Sequence, residues 1–203
     1  MLTSGRLLIH VPIIHTQADM GALGKDFRRA FVARFGEQLW ADNQRLVERF
    51  WTVVEEAVER LPVVWKAARV YQDGLPVCGR ENEIVADLAR AGSRNHRLLL
   101  RLRERGATIM GTESAELLVE EYQLIKQTFR QQPPAASAIG PGAEAENLAR
   151  DLLERRDRYI AERIGDSLAA GETGVVFLGL LHRLEGKVAK DVELVNIFAM
   201  NNV

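Results

Sequence analysis

Four apolar runs in this sequence end at or just before a side chain that can hold a metal ion or move a proton. Residues 6–15, RLLIHVPIIH, end in His15, and 63–73, VVWKAARVYQD, end in Asp73. The run ATIMG at 107–111 leads into Thr112 and Glu113, and VVFLGLLH at 175–182 ends in His182. Imidazole and carboxylate without thiolate suit a divalent zinc, manganese, iron or cobalt ion. Such an ion lowers the pKa of a bound water and polarises a scissile carbonyl. The same groups without a metal provide a histidine general base oriented by a carboxylate.

These groups can act together only if the four runs are strands of one parallel sheet, which delivers every C-terminal strand end to the same edge, where ligands bind. A strand must end in something polar, so Asp73 or Glu113 could instead cap the following helix. Histidine is a less usual terminator, and two of the chain's four histidines close such runs. Asp19 follows His15 by four residues and has three readings: a metal ligand, an acceptor that orients His15, or the cap of the next helix.

The intervening segments have helical spacing. Phe27, Phe31, Phe35 and Leu39, then Leu46, Phe50, Val54, Val58 and Leu61, recur every three or four positions and predict one or two long amphipathic helices. Residues 82–105 and 114–129 repeat the pattern, as does 144–168, and Val192 to Phe198 reads as a fifth strand at the sheet's edge. Strands separated by helices predict a three-layer α/β fold with a mostly parallel central sheet of four or five strands. The chain reads as a single domain over 1–203. The segment QQPPAASAIGPG at 131–142, rich in Pro, Ala and Gly, reads as a mobile linker loop within it.

The helix at 144–168 carries an unusual feature. Leu148, Leu152, Leu153, Tyr159, Ile160 and Ile164 define an apolar face, and Arg156 and Arg163 fall near its centre. A buried guanidinium needs a carboxylate or an anion, so Arg156 should meet Glu113 or Asp73, or bind a substrate anion, unless it snorkels past the helix edge. Among the remaining candidates, His10 reads as core, His96 as surface between Arg94 and Arg97, Cys78 as a small buried hydrophobe, and Trp40, Trp51 and Trp65 as core.

Composition narrows the classes. Of 203 residues, 47% are apolar and 27% charged, the range of a globular chain. A net charge of −1 gives no broad positive field, so nucleic acid is not an expected partner. One cysteine forbids an internal disulfide and thiolate-rich zinc patterns, and fits a reducing, cytoplasmic setting. The N-terminal apolar run, interrupted by Pro12 and two histidines, does not read as a signal peptide, and no run is long enough to span a membrane, so no membrane partner is expected. Phosphate-loop, dinucleotide and G-x-S-x-G motifs are missing, so no nucleotide cofactor is expected.

The strand-ending His15, the sequence Ile109-Met110-Gly111-Thr112-Glu113, the helical segment from Glu154 to Ala161 and Gly179-Leu180-Leu181-His182 together resemble the TraB/PrgY/Tiki group. That group stands with erythromycin-esterase-like and ChaN-like proteins in a broader α/β superfamily. The resemblance implies a metal-dependent hydrolytic site lined by G-x-x-H motifs, an acidic strand end and a helix arginine. Gly179 and His182 would then form the second G-x-x-H beside the substrate, Arg156-Asp157 the helix motif, and Glu113 the acid. The first motif reads Pro12-Ile13-Ile14-His15, without the glycine.

Taken together, these features predict a hydrolase of small-molecule or peptide amides or esters. His15, Glu113, Arg156 and His182 would be its catalytic residues, Asp73, Arg163 and Gly179 would contact substrate, and His15, Asp19, Glu113 and His182 would be metal ligands. The missing glycine favours the alternative, a non-catalytic sensor or ligand-binding protein using the same pocket or forming a homodimer through its long helices.

Overall fold

A computed structural model describes residues 5–21, 23–131 and 143–200. Most of the linker expected at 131–142 lies outside the described residues. The sheet is fully parallel, with five strands in the order β3-β2-β4-β1-β5. The strands are β1 (Arg6–Ile13), β2 (Ala68–Gln72), β3 (Thr108–Met110), β4 (Thr173–Gly179) and β5 (Val192–Asn196). The helices are α1 (Leu23–Glu59), α2 (Glu81–Arg90), α3 (Arg94–Glu104), α4 (Ala115–Gln131), α5 (Ala143–Ser167) and a short α6 (Ile197–Met200).

Alternation along the central strands sorts the core into two layers. Ile9, Val11 and Ile13 of β1 and Val175 and Phe177 of β4 pack with Trp51, Val54 and Val58 of α1 and Leu98, Leu99 and Leu102 of α3. Leu8, Val176 and Leu178 point the other way, onto Ile160, Ala161 and Ile164 of α5. With helices on both faces, β4 is buried from Gly174 to Leu178, which explains its unbroken apolar run. The three-layer α/β fold is therefore the one its sequence pattern implies. No helix among the described residues is long and apolar enough to cross a membrane.

Two local readings change, and a third, one or two long helices over 27–61, resolves to two. The strand expected from residue 63 begins only at Ala68, because Trp65–Ala67 form a 3₁₀ turn whose Trp65 fills the core. The helical stretch 82–105 is two helices, parted where Gly92 takes φ 103° and Ser93 caps α3. In α1, Gly36 (φ 84°, ψ 161°) interrupts the helix, and the first stretch folds back on the second so that Phe31 lies 5.4 Å from Trp40, ring centroid to centroid. Trp40, Trp51 and Trp65 are buried as expected, but Phe35 and Leu39 remain 50% and 48% exposed because this hairpin does not reach the sheet.

Candidate functional site

The parallel sheet brings His15, Asp73, Glu113 and His182 to one edge. Asp73 continues the β2 ladder, its N–H donating to the Phe177 carbonyl at 2.9 Å, which fixes it at the C-terminal edge of the sheet. Its Oδ2 accepts from the Gly179 N–H at 2.9 Å and meets His15 Nε2 at 2.9 Å and His182 Nε2 at 3.3 Å. Its Oδ1 accepts from Arg156 Nη2 at 2.8 Å. Burial pushes the Asp73 carboxyl up, but the two histidines hold it well below the usual carboxylate range.

Arg156 is the buried arginine that the apolar face of α5 foretold, and it meets both candidate acids. Its Nε donates to Glu113 Oε2 at 2.7 Å and its Nη2 to Glu113 Oε1 at 2.6 Å, a two-pronged pair. Nη1 donates to Glu121 of α4. Four of the five guanidinium N–H donors are thus committed to protein acids, and one Nη1–H remains. Glu113 also accepts from the Gly74 N–H at 2.8 Å, which ties the ends of β2 and β3 together. Burial and the neighbouring Asp73 charge push the Glu113 carboxyl up against the pull of Arg156.

His182 sits between two carboxylates, with Nδ1 2.6 Å from Asp157 Oδ1 and Nε2 on Asp73. Burial alone would lower its pKa, but Asp157 and Asp73 outweigh that and raise it to about 10, so it is an imidazolium at neutral pH. Asp157 is braced in turn by the Arg183 N–H at 2.9 Å and Lys187 Nζ at 3.2 Å.

His15 differs. Its side chain is 39% exposed and lines a cavity of about 440 Å³, together with Asp73, Arg156, Gly179 and His182. Nε2 is held by Asp73, while Nδ1 makes no hydrogen bond among the described residues. Burial opposes protonation of His15, yet the Asp73 hydrogen bond and charge raise its pKa above the ordinary histidine value.

Other candidates are placed elsewhere or given new roles. Asp19 borders the cavity, but its oxygens are occupied. Oδ2 accepts from Thr16 N at 2.6 Å and Thr16 Oγ1 at 2.7 Å, and Oδ1 accepts from Ser93 and lies 3.3 Å from His96 Nδ1. These bonds outweigh burial and hold Asp19 at about 2, so it pins the His15 loop to the cap of α3. His96 is buried in that cluster, not on the surface, because α3 starts at Ser93 and the new start changes which side faces inward. Arg163 donates from Nε to the Gly111 carbonyl at 3.1 Å and braces the end of β3 outside the cavity. Gly179 serves through its N–H on Asp73. Cys78 is exposed, because the chain from Val77 to Arg80 runs along the surface to the start of α2.

Sequence reasoning did not single out Glu121 or the pairing of Asp157 with His182. Glu121 stands in helical line with Leu117 and Ile125, an acid in an apolar stripe and therefore a readable signal. Asp157 adjoins Arg156, and nothing in its spacing points to His182, 25 residues on.

Asp73, Glu113 and His182 each offer a ligand atom, all within 4.8 Å of one another, and could hold a metal ion. In the present arrangement Arg156 neutralises both carboxylates and both His182 nitrogens face acids, so an ion would have to displace Arg156 and a proton. In comparisons with known proteins, the chain matches no protein family, no curated protein and no solved structure.

Proposed function

We propose that the chain is a hydrolase of small-molecule or peptide esters or amides in which His15 is the general base. The observation that carries this reading is the His15–Asp73 pair at the cavity wall. An Nε2–H donated to Asp73 fixes the tautomer in which Nδ1 carries the lone pair. From there Nδ1 takes a proton from water as the water attacks a carbonyl carbon, and returns it to the leaving alkoxide or amine. The remaining Nη1–H of Arg156 serves the developing oxyanion, and the charge of His182 keeps Asp73 ionised opposite the imidazolium formed on His15. The resemblance to the TraB/PrgY/Tiki group supports hydrolysis.

Turnover of a panel of nitrophenyl esters and anilides, by wild type and His15→Ala, tests the proposal. His15→Ala should fold normally and lose about a hundredfold to ten-thousandfold in kcat. A wild-type protein that turns over nothing on the panel, or a variant as fast as wild type, overturns the reading and favours the ligand-binding alternative.

The 4.8 Å cluster of Asp73, Glu113 and His182 supports a second, metal-dependent reading. A stoichiometric zinc, manganese, iron or cobalt ion in untagged protein, lost in His182→Ala, would replace the first reading with this one.

A further inference from the structure

We propose that the α1 hairpin seats this protein on an anionic lipid surface. From Leu23 to Phe35 the helix carries Lys25, Arg28, Arg29 and Arg34 against one acid, Asp26, while Phe27, Phe31 and Phe35 recur at four-residue spacing. Phe27 and Phe31 lie against Trp40, and Phe35 lies on Phe31 with Arg34 over its ring, yet Phe27, Phe35 and Leu39 stay exposed on the outer side of the hairpin. Arg29 pairs with Asp26 and Arg28 with Glu37, leaving Lys25 and Arg34 exposed with no acidic partner among the described residues. Exposed aromatic groups among unpaired cations suit an interface where acyl chains lie beneath anionic headgroups.

Charge selects this occupant over a second copy of the chain. A two-fold dimer through this face would bring the unpaired Lys25 and Arg34 of both copies together, because the hairpin acids Asp26, Glu37 and Asp42 are already paired with Arg29, Arg28 and Arg45. A single-stranded nucleic acid would find stacking partners in Phe27 and Phe35 but none in Leu39, and a net charge of −1 gives it no broad positive field. The hairpin also adjoins the site, because Leu23, the first residue of α1, lines the cavity, and Phe27 follows about 6 Å further along the helix. Leu181 on the same cavity's rim is 76% exposed. A surface that takes up the hairpin therefore brings the cavity mouth close to the lipid.

Co-sedimentation of the full chain with phosphatidylcholine vesicles, with and without phosphatidylglycerol, tests the proposal. Wild type should bind the anionic vesicles and dissociate as salt is raised. Lys25→Gln/Arg34→Gln should bind them about thirtyfold more weakly with unchanged thermal unfolding, and Phe27→Asn/Phe35→Asn should also lose binding, with an unfolding temperature lowered by lost packing on Phe31 and Trp40 but the folded state retained. Equal rates on a soluble ester for wild type and both variants score this inference separately from the hydrolase reading. Protein that stays in the supernatant with both vesicle types, that binds single-stranded RNA more tightly than vesicles, or that forms a dimer abolished by Phe27→Asn/Phe35→Asn overturns it.

Discussion

Replacing Arg156 with methionine removes the positive charge from between two buried carboxylates while keeping much of the side-chain volume. In the folded protein the side chains of Arg156, Asp73 and Glu113 are all 5% exposed or less, and Nη2 alone reaches both acids, at 2.8 and 2.6 Å. Removing one partner of such a buried network costs about 3–5 kcal/mol, mostly from the charges left uncompensated. Two facing carboxylates cannot both stay ionised cheaply, so the folded variant should take up a proton that its unfolded chain releases above the ordinary carboxylate range. The native state then binds more protons than the unfolded state, and stability must fall as pH rises, by up to about 1.4 kcal/mol per pH unit. Urea unfolding of wild type and Arg156→Met between pH 5 and 7 measures both effects. Adding Glu113→Gln to the variant removes the like-charge opposition and should restore a large part of the loss. A loss under about 1 kcal/mol for Arg156→Met, or a pH dependence no steeper than wild type, would refute the buried network as the organising feature of the site.

His182 gives a second pH test. A histidine raised to about 10 in the folded state contributes stability that is fully present below its unfolded value of 6.5 and is lost as pH climbs toward 10. The loss across that window is of order 5 kcal/mol, and His182→Gln should flatten it in thermal unfolding; equal slopes would mean that His182 is not the imidazolium. Gly179→Ala tests the close packing beneath the histidines. Its Cβ would lie 3.0 Å from Asp73 Oδ2 and 3.4 Å from His15 Nε2, so hydrolysis should drop about tenfold to a hundredfold. Unchanged turnover would show that Gly179 does not fix Asp73.

The fold was legible because its strands are buried on both faces and are separated by helices, a pattern few other architectures produce. The convergence of His15, Asp73, Glu113 and His182 followed from strand direction alone, and Arg156 was legible because periodicity placed a charge where only an ion pair could satisfy it. What was not legible depended on helix phase and long-range pairing. Ser93 restarts a helix that composition continued through it, which turned His96 from a surface residue into a buried one. Gly36 divides the apolar spacing of residues 27–61 into a hairpin, and nothing in that spacing shows that Phe35 and Leu39 stay exposed.

Asp157 explains why only one of the two histidines is free to act. The Oδ2 of Asp73 is shared by Gly179, His182 and His15, and its Oδ1 is held by Arg156, so its charge is fixed; Asp157 adds the second carboxylate that makes His182 a lasting cation, and His15, which has Asp73 alone, stays titratable. A pH profile of kcat/KM on a soluble ester should therefore rise through a single ionisation above 6.5, the ordinary histidine value, as the His15 proton leaves. The limb should continue downward without a step from Asp73 between pH 4 and 6, because Asp73 stays ionised through that range. Asp73→Asn removes the charge that raises His15. Its rising limb should move to lower pH while the plateau falls, since the amide can no longer stabilise an imidazolium on His15. A limb that stays in place in Asp73→Asn, or that disappears only in His182→Gln, would assign the base to the other histidine and invert the roles drawn from the geometry.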